Sequence, residues 1–167
     1  MKKITPFLTI GFIVIGIVAL FLSMSSVQNM TTVYKGNTSK NPIPIKLHKF
    51  QDSDCGMVID DITYASEVVA PDGKTWFFHD HGGMVHWLEN KTFKDKAVLW
   101  SYTKDTKKWK NSRNLWYTRT DPTPMEYGFG AYEHKKDGMI DFQTMSLYML
   151  RGENLTNPKI KKQLLQR

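Results

Sequence analysis

The stretch "ITYASEVVAPDGKTWFFHDHGGMVHWLENKTFKDKAVLWSY", residues 62–102, decides the fold. Residues 62–69 and "KTWFF" at residues 74–78 are rich in β-branched and aromatic side chains, and a Pro71-Asp72-Gly73 turn signal stands between them. That pattern predicts a β-hairpin. Asp80 suits the N-cap of a short helix over residues 81–90, because its carboxylate accepts a backbone N–H that has no partner inside the helix. His81, Met84, Val85 and Leu88 share one face of that helix, and Asn90 marks its end. "AVLWSY" at residues 97–102 resumes a strand, so the unit reads β, β, α, β.

A fainter copy follows 65 residues on. "DGMIDFQTMSLYML" at residues 137–150 matches "DGKTWFFHDHGGMV" at residues 72–85 at Asp, Gly, Phe and the helix methionine, and both windows read as strand then helix. With "YGFGAYEH" at residues 127–134 as a preceding strand, the expectation is an α+β fold. Two related small β-β-α(-β) units form one domain over residues 46–156.

The flanks read differently. Lys2 and Lys3 precede an apolar run at residues 7–24 that is long enough to span a bilayer, which predicts an N-terminal transmembrane helix within residues 1–27 with its start left in the cytoplasm. A cleaved signal peptide is the open alternative, since "LSMSS" has the small residues that processing requires. In either case the remainder is expected to be exported. Residues 28–45 are polar, with Asn, Thr, Gly and two prolines, and read as a linker. Residues 157–167 form a basic tail. The net charge of +7 falls to +5 once Lys2 and Lys3 are set aside, and much of the excess lies at residues 104–113 and in the tail. Solvated surface explains it, attraction to anionic lipid or an acidic partner is the alternative, and export argues against nucleic acid.

"DSDCGMVIDD" at residues 52–61 holds the only cysteine of the chain. Cys55 has no partner for an internal disulfide, so it is a buried inert residue, an intermolecular bridge or a functional thiol. No Ser-His-Asp pattern, phosphate loop or pair of catalytic carboxylates stands out, and an enzyme is not expected.

"DCGMVIDD", "YASEV", "DGKTWFFHDHGGMVHWL" and "DPTPMEYGFGAY", in that order over roughly residues 50–152, resemble the NosL family of copper-binding accessory proteins of nitrous oxide reductase maturation. The family pattern runs Cys-Gly-Met, then Phe-Asp-Asp-x-Gly-Cys-Met, then Thr-Pro-Met before a Gly-rich strand. The resemblance implies a fold similar to organomercurial lyase, whose chemistry needs a cysteine pair that this chain lacks. It also implies a bacterial envelope protein that holds Cu(I) and delivers it to apo nitrous oxide reductase or another copper enzyme, alongside a transporter or accessory proteins of the same pathway. That places the chain at the inner membrane as a single-pass protein with its C-terminal domain in the periplasm, or soluble there if the N-terminal segment is cleaved. Carried over by position, Cys55 and Met57 match the first motif, Met84 the second and Met125 the third. Gly83 stands where the family has cysteine, and His79, His81 and His86 surround it, so His81 and His86 join the ligand candidates. A homodimer that shares one copper through two cysteines is an open arrangement. A metal-free envelope scaffold that docks onto a reductase or transporter is the alternative function.

Overall fold

The structure, a computed structural model, describes residues 5–24 and 30–166. The chain divides into two compact units, Met1–Met30 and Thr31–Arg167. In the first, the apolar run forms helix α1 (Thr5–Met24). Side chains are described over residues 9–21, where Ile10, Phe12, Ile13 and Phe21 are exposed. Among the described residues no helix is long and apolar enough to cross a membrane. The expected transmembrane helix, and with it the single-pass inner-membrane location, is therefore withdrawn. The expected processing region at residues 25–29 lies outside the described residues.

The second unit is α+β. Its larger sheet contains β1 (Val33–Tyr34), β2 (Ser66–Val69), β3 (Thr75–Phe78), β4 (Val98–Tyr102) and β5 (Trp109–Asn111), in the order β1-β3-β2-β4-β5, all antiparallel. A smaller antiparallel sheet contains β6 (Trp116–Tyr117), β7 (Ala131–Tyr132) and β8 (Ile140–Asp141), with β6 central. The helices are α2 (His81–Glu89), α3 (Phe142–Leu150) and α4 (Pro158–Leu165).

The predicted hairpin forms between β2 and β3, but its first strand starts four residues late. Asp61 accepts the Thr63 N–H at 2.9 Å and its hydroxyl at 2.7 Å, and Ala65 N–H reaches Ile62 O at 3.0 Å, so residues 61–65 are a turn. The repeat signal corresponds to a local likeness. Both α2 and α3 are nine-residue helices that follow a strand and are capped by an aspartate, Asp80 accepting from Gly82 N–H and Asp141 from Thr144 N–H. The wiring differs. The chain leaves β3 through α2 and returns to the same sheet as β4, whereas α3 follows the edge strand β8. The strand expected at residues 127–134 is confined to Ala131–Tyr132.

Strand β3 is packed on both faces. Phe78 meets Trp87 of α2, and Trp76 lies between Trp87 and Phe93, on the side that holds the main core of Val68, Met84, Leu99, Tyr117, Phe129 and Met145. Phe77 points the other way into a second cluster with Phe50 and Ile59. Each fully buried aromatic or aliphatic side chain there contributes on the order of 2 kcal/mol. The outer face needs a cover, and residues 31–59 supply it. In the stretch read as a linker, Asn37 N–H donates to Gly73 O at 2.9 Å and Ile43 N–H to Glu67 at 2.9 Å. Trp100 Nε1–H reaches back to Lys40 O at 2.9 Å. Ile43 and Ile45 pack against the Phe50, Ile59 and Phe77 cluster.

Candidate metal centre

The loop that carries Cys55 is organised by one carboxylate. Asp52 Oδ1 accepts the N–H of Asp54 at 2.7 Å and of Cys55 at 3.0 Å. Its Oδ2 accepts His79 N–H at 2.8 Å and meets His79 Nδ1 at 2.5 Å. The turn is closed by Gly56 N–H to Asp52 O at 3.0 Å and Asp52 N–H to Met57 O at 2.8 Å, with Gly56 at φ +78°, where glycine carries no side-chain penalty. Ser53 ties the loop to the sheet through Phe77 O at 2.8 Å. His79 stands between the end of β3 and the Asp80 cap, so strand and helix place its backbone and Asp52 of the loop places its ring.

These contacts bring Asp52, Cys55 and His79 into one group whose ligand atoms lie within 4.8 Å of one another, a group that could hold a metal ion. Asp52 and His79 are buried and Cys55 is half-buried as a free thiol. Cys55 Sγ is 3.9 Å from His79 Nδ1. That is shorter than the about 4.3 Å reached when one ion takes a sulfur at roughly 2.3 Å and an imidazole nitrogen at roughly 2.0 Å, so a single ion fits between the two donors. Three of the four groups that the Asp52 oxygens meet are backbone N–H, so Asp52 positions the loop and the His79 backbone, while at His79 Nδ1 it faces the proton that an ion would displace.

Burial raises the Cys55 thiol pKa and the carboxylates of Asp52 and Asp54 push the same way, against the Met57 N–H. Cys55 therefore rests as a thiol and is not an activated nucleophile. Burial opposes the His79 cation, but the Asp52 carboxylate outweighs it and the ring pKa is raised. Burial likewise opposes ionised Asp52, and its bonds from His79, Cys55 and Asp54 overcome that, so its pKa is lowered. The two shifts favour the ion pair, with the proton on His79 and the charge on Asp52.

The other candidates lie elsewhere or at the margin. Met57 is on the Cys55 loop with its side chain 46% exposed. His86 is an exposed residue of α2 whose Nδ1 meets Asp54 at 3.0 Å. Met84 is fully buried in the main core, packing as a side chain on an apolar helix face. His81 is fully buried between the rings of Tyr64 and Tyr117, its Nδ1 meeting Ser66 Oγ at 2.5 Å. Burial in apolar surroundings lowers its pKa to about 3, so it is a neutral core residue. Met125 is half-buried, and its N–H donates to Asp80 Oδ2 at 3.0 Å, which draws the "PMEY" loop onto the start of α2. Tyr127 follows it, its ring filling the space where a side chain at Gly82 would stand. Burial raises the Tyr127 pKa, and the charges of Asp54, Asp80, Cys55 and Asp52 add to it.

The three motif segments thus meet at the N-terminal end of α2. The sequence reading missed His79 and Asp52 as members of the group. Asp52, three residues before Cys55, carries an Asx-turn signal that marks it as the loop's organiser. Nothing local singles out His79 from His81, two residues on. Neither a family model, nor a curated protein, nor a solved structure matches the chain.

Proposed function

We propose that the protein binds Cu(I) through Cys55 and His79 and passes it to a copper enzyme. The observation that carries this is the group of Asp52, Cys55 and His79, in which two soft donors are positioned by a carboxylate. Thiolate and imidazole suit Cu(I) at low coordination, and the half-exposed Met57 beside them offers a thioether for exchange. The resemblance to NosL names the acceptor class, apo nitrous oxide reductase. Asp52 keeps the loop in place through the N–H groups of Asp54, Cys55 and His79, Cys55 and His79 release their protons as the ion enters, and an acceptor's donors replace them one at a time from the exposed side of the loop that carries Met57.

The test is anaerobic competition of the full-length chain with a chromogenic Cu(I) chelator, with Zn(II) measured in parallel because Cys, His and Asp also suit zinc. The parent takes copper from the chelator, while Cys55→Ser and His79→Gln each weaken uptake tenfold or more. Met84→Leu leaves it unchanged. A parent that takes no copper overturns the reading and favours the metal-free scaffold. A parent that takes Zn(II) but not Cu(I) keeps the site and changes the metal.

A further inference from the structure

Away from the metal centre, two cavities of about 570 Å³ and about 430 Å³ share Arg119 and Leu164 among their linings. Arg119 is half-buried. Its guanidinium lies over the Tyr148 ring at 4.1 Å and Nη2–H donates to Glu153 O at 2.8 Å. The Nε–H is buried with no acceptor, and among the described residues no carboxylate pairs with this cation. Leaving a guanidinium partly desolvated without a counter-charge is costly, and a planar fork of N–H groups is shaped to take two oxygens of one anion.

The larger cavity adds Lys136, whose ammonium is also without a carboxylate among the described residues, and the exposed Thr120 on its rim. Asp137 is the acidic group of that lining, which leaves it with a net positive charge of one. Ile140, Tyr148 and Leu164 give the cavity an apolar side. Leu164 belongs to α4, none of whose described residues is buried, so the apolar wall it gives the cavity stands at the surface.

The geometry points to a binding site for a small oxyanion, a carboxylate or phosphate attached to a flat apolar body, with Arg119 as its main anchor and Lys136 as its second charge. The apolar body lies against Tyr148 and Leu164 while the oxygens face the guanidinium. Benzoate and inorganic phosphate are the probes, titrated separately into the full-length chain at low ionic strength and followed by amide chemical shifts. Benzoate produces saturable shifts at Gly138, Tyr148 and Leu164; Arg119→Gln weakens it at least tenfold and Lys136→Gln several-fold, while Cys55→Ser binds as the parent does. Phosphate binding as tightly assigns the site to phosphate esters, and benzoate binding alone assigns it to carboxylates. Shifts that grow linearly without saturating for both probes overturn the site, as does a folded Arg119→Gln variant that binds like the parent. Should Arg119→Gln not fold, an unchanged affinity in Lys136→Gln, at an exposed position, overturns it.

Discussion

Asp52 is the residue that organises the candidate metal site. It touches the backbone of Asp54, Cys55 and His79 and the ring of His79, so the thiol and the imidazole are placed by one side chain. Asp52→Asn keeps the shape but turns one acceptor oxygen into a donor facing N–H groups. We expect a loss of about 1–3 kcal/mol in stability and weaker Cu(I) uptake, read by urea midpoint and chelator competition; parent-like values in both assays would refute the organising role. Protons compete with the ion at the same atoms. The thiol pKa of Cys55 is raised and the ring pKa of His79 is raised, so metal affinity climbs with pH across neutrality and falls as either donor is protonated. Competition titrations between pH 6 and 8 check the sign, and an affinity that is flat or falls with pH contradicts it. Stability runs oppositely for His79. Its contribution from Asp52 is complete below the unfolded value near 6.5 and is lost as pH rises through the folded one, whereas that of Asp52 is complete above about 3.8 and is lost as pH falls through its lowered pKa.

At the scale of elements, the first turn of α2 shows why two adjacent glycines have different tolerances. A Cβ at Gly82 would lie 2.6 Å from the Tyr127 ring, the ring that holds the third motif segment against the helix. A Cβ at Gly83 would meet nothing closer than Asp54 Oδ2 at 3.6 Å. Gly82→Ala therefore displaces Tyr127 and costs on the order of 1–3 kcal/mol, seen as a lower urea midpoint. Gly83→Cys folds like the parent and presents a second thiol toward Asp54, the neighbour of Cys55. Tighter Cu(I) binding by that variant is expected, and equal or weaker binding would show that position 83 does not reach the ion. Position 83 thus stands beside the Cys55 loop, with room for a side chain.

Across the whole molecule, Glu67 joins the sheet to the segment that covers it. It is fully buried on β2, both carboxyl oxygens facing Ile43 N–H, at 2.9 and 3.2 Å. Burial pushes its pKa up to about 8, against the Ile43 N–H. The unfolded chain releases this proton near 4.5 and the folded chain near 8, so between those values the folded state binds more protons and stability falls as pH rises. Glu67→Gln keeps an acceptor for Ile43 and removes the ionisation, so the variant loses less stability than the parent between pH 5 and 8. Urea midpoints at three pH values decide it, and parallel curves would show that Glu67 does not set the slope.

The hairpin of β2 and β3, the Asp80 cap, helix α2 and strand β4 were legible from residues 62–102, because alternation, turn chemistry and capping act over a few neighbouring residues. Cys55 was legible as a candidate ligand because it is the one thiol in the chain, and the structure groups it with Asp52 and His79. Sequence by itself also determined that Met84 would lie on an apolar helix face. Only the tertiary structure decided that His79 rather than His81 stands beside Cys55. The two rings are two residues apart in the chain; one is held by Asp52, 27 positions earlier, and the other is sealed between Tyr64 and Tyr117. It also decided that residues 31–45 lie on the sheet, since Phe77 and Glu67 face outward from strands that are packed on both sides. Contacts of that kind are set by which distant segments meet to exclude water and satisfy buried polar groups, and no local period in the chain records them.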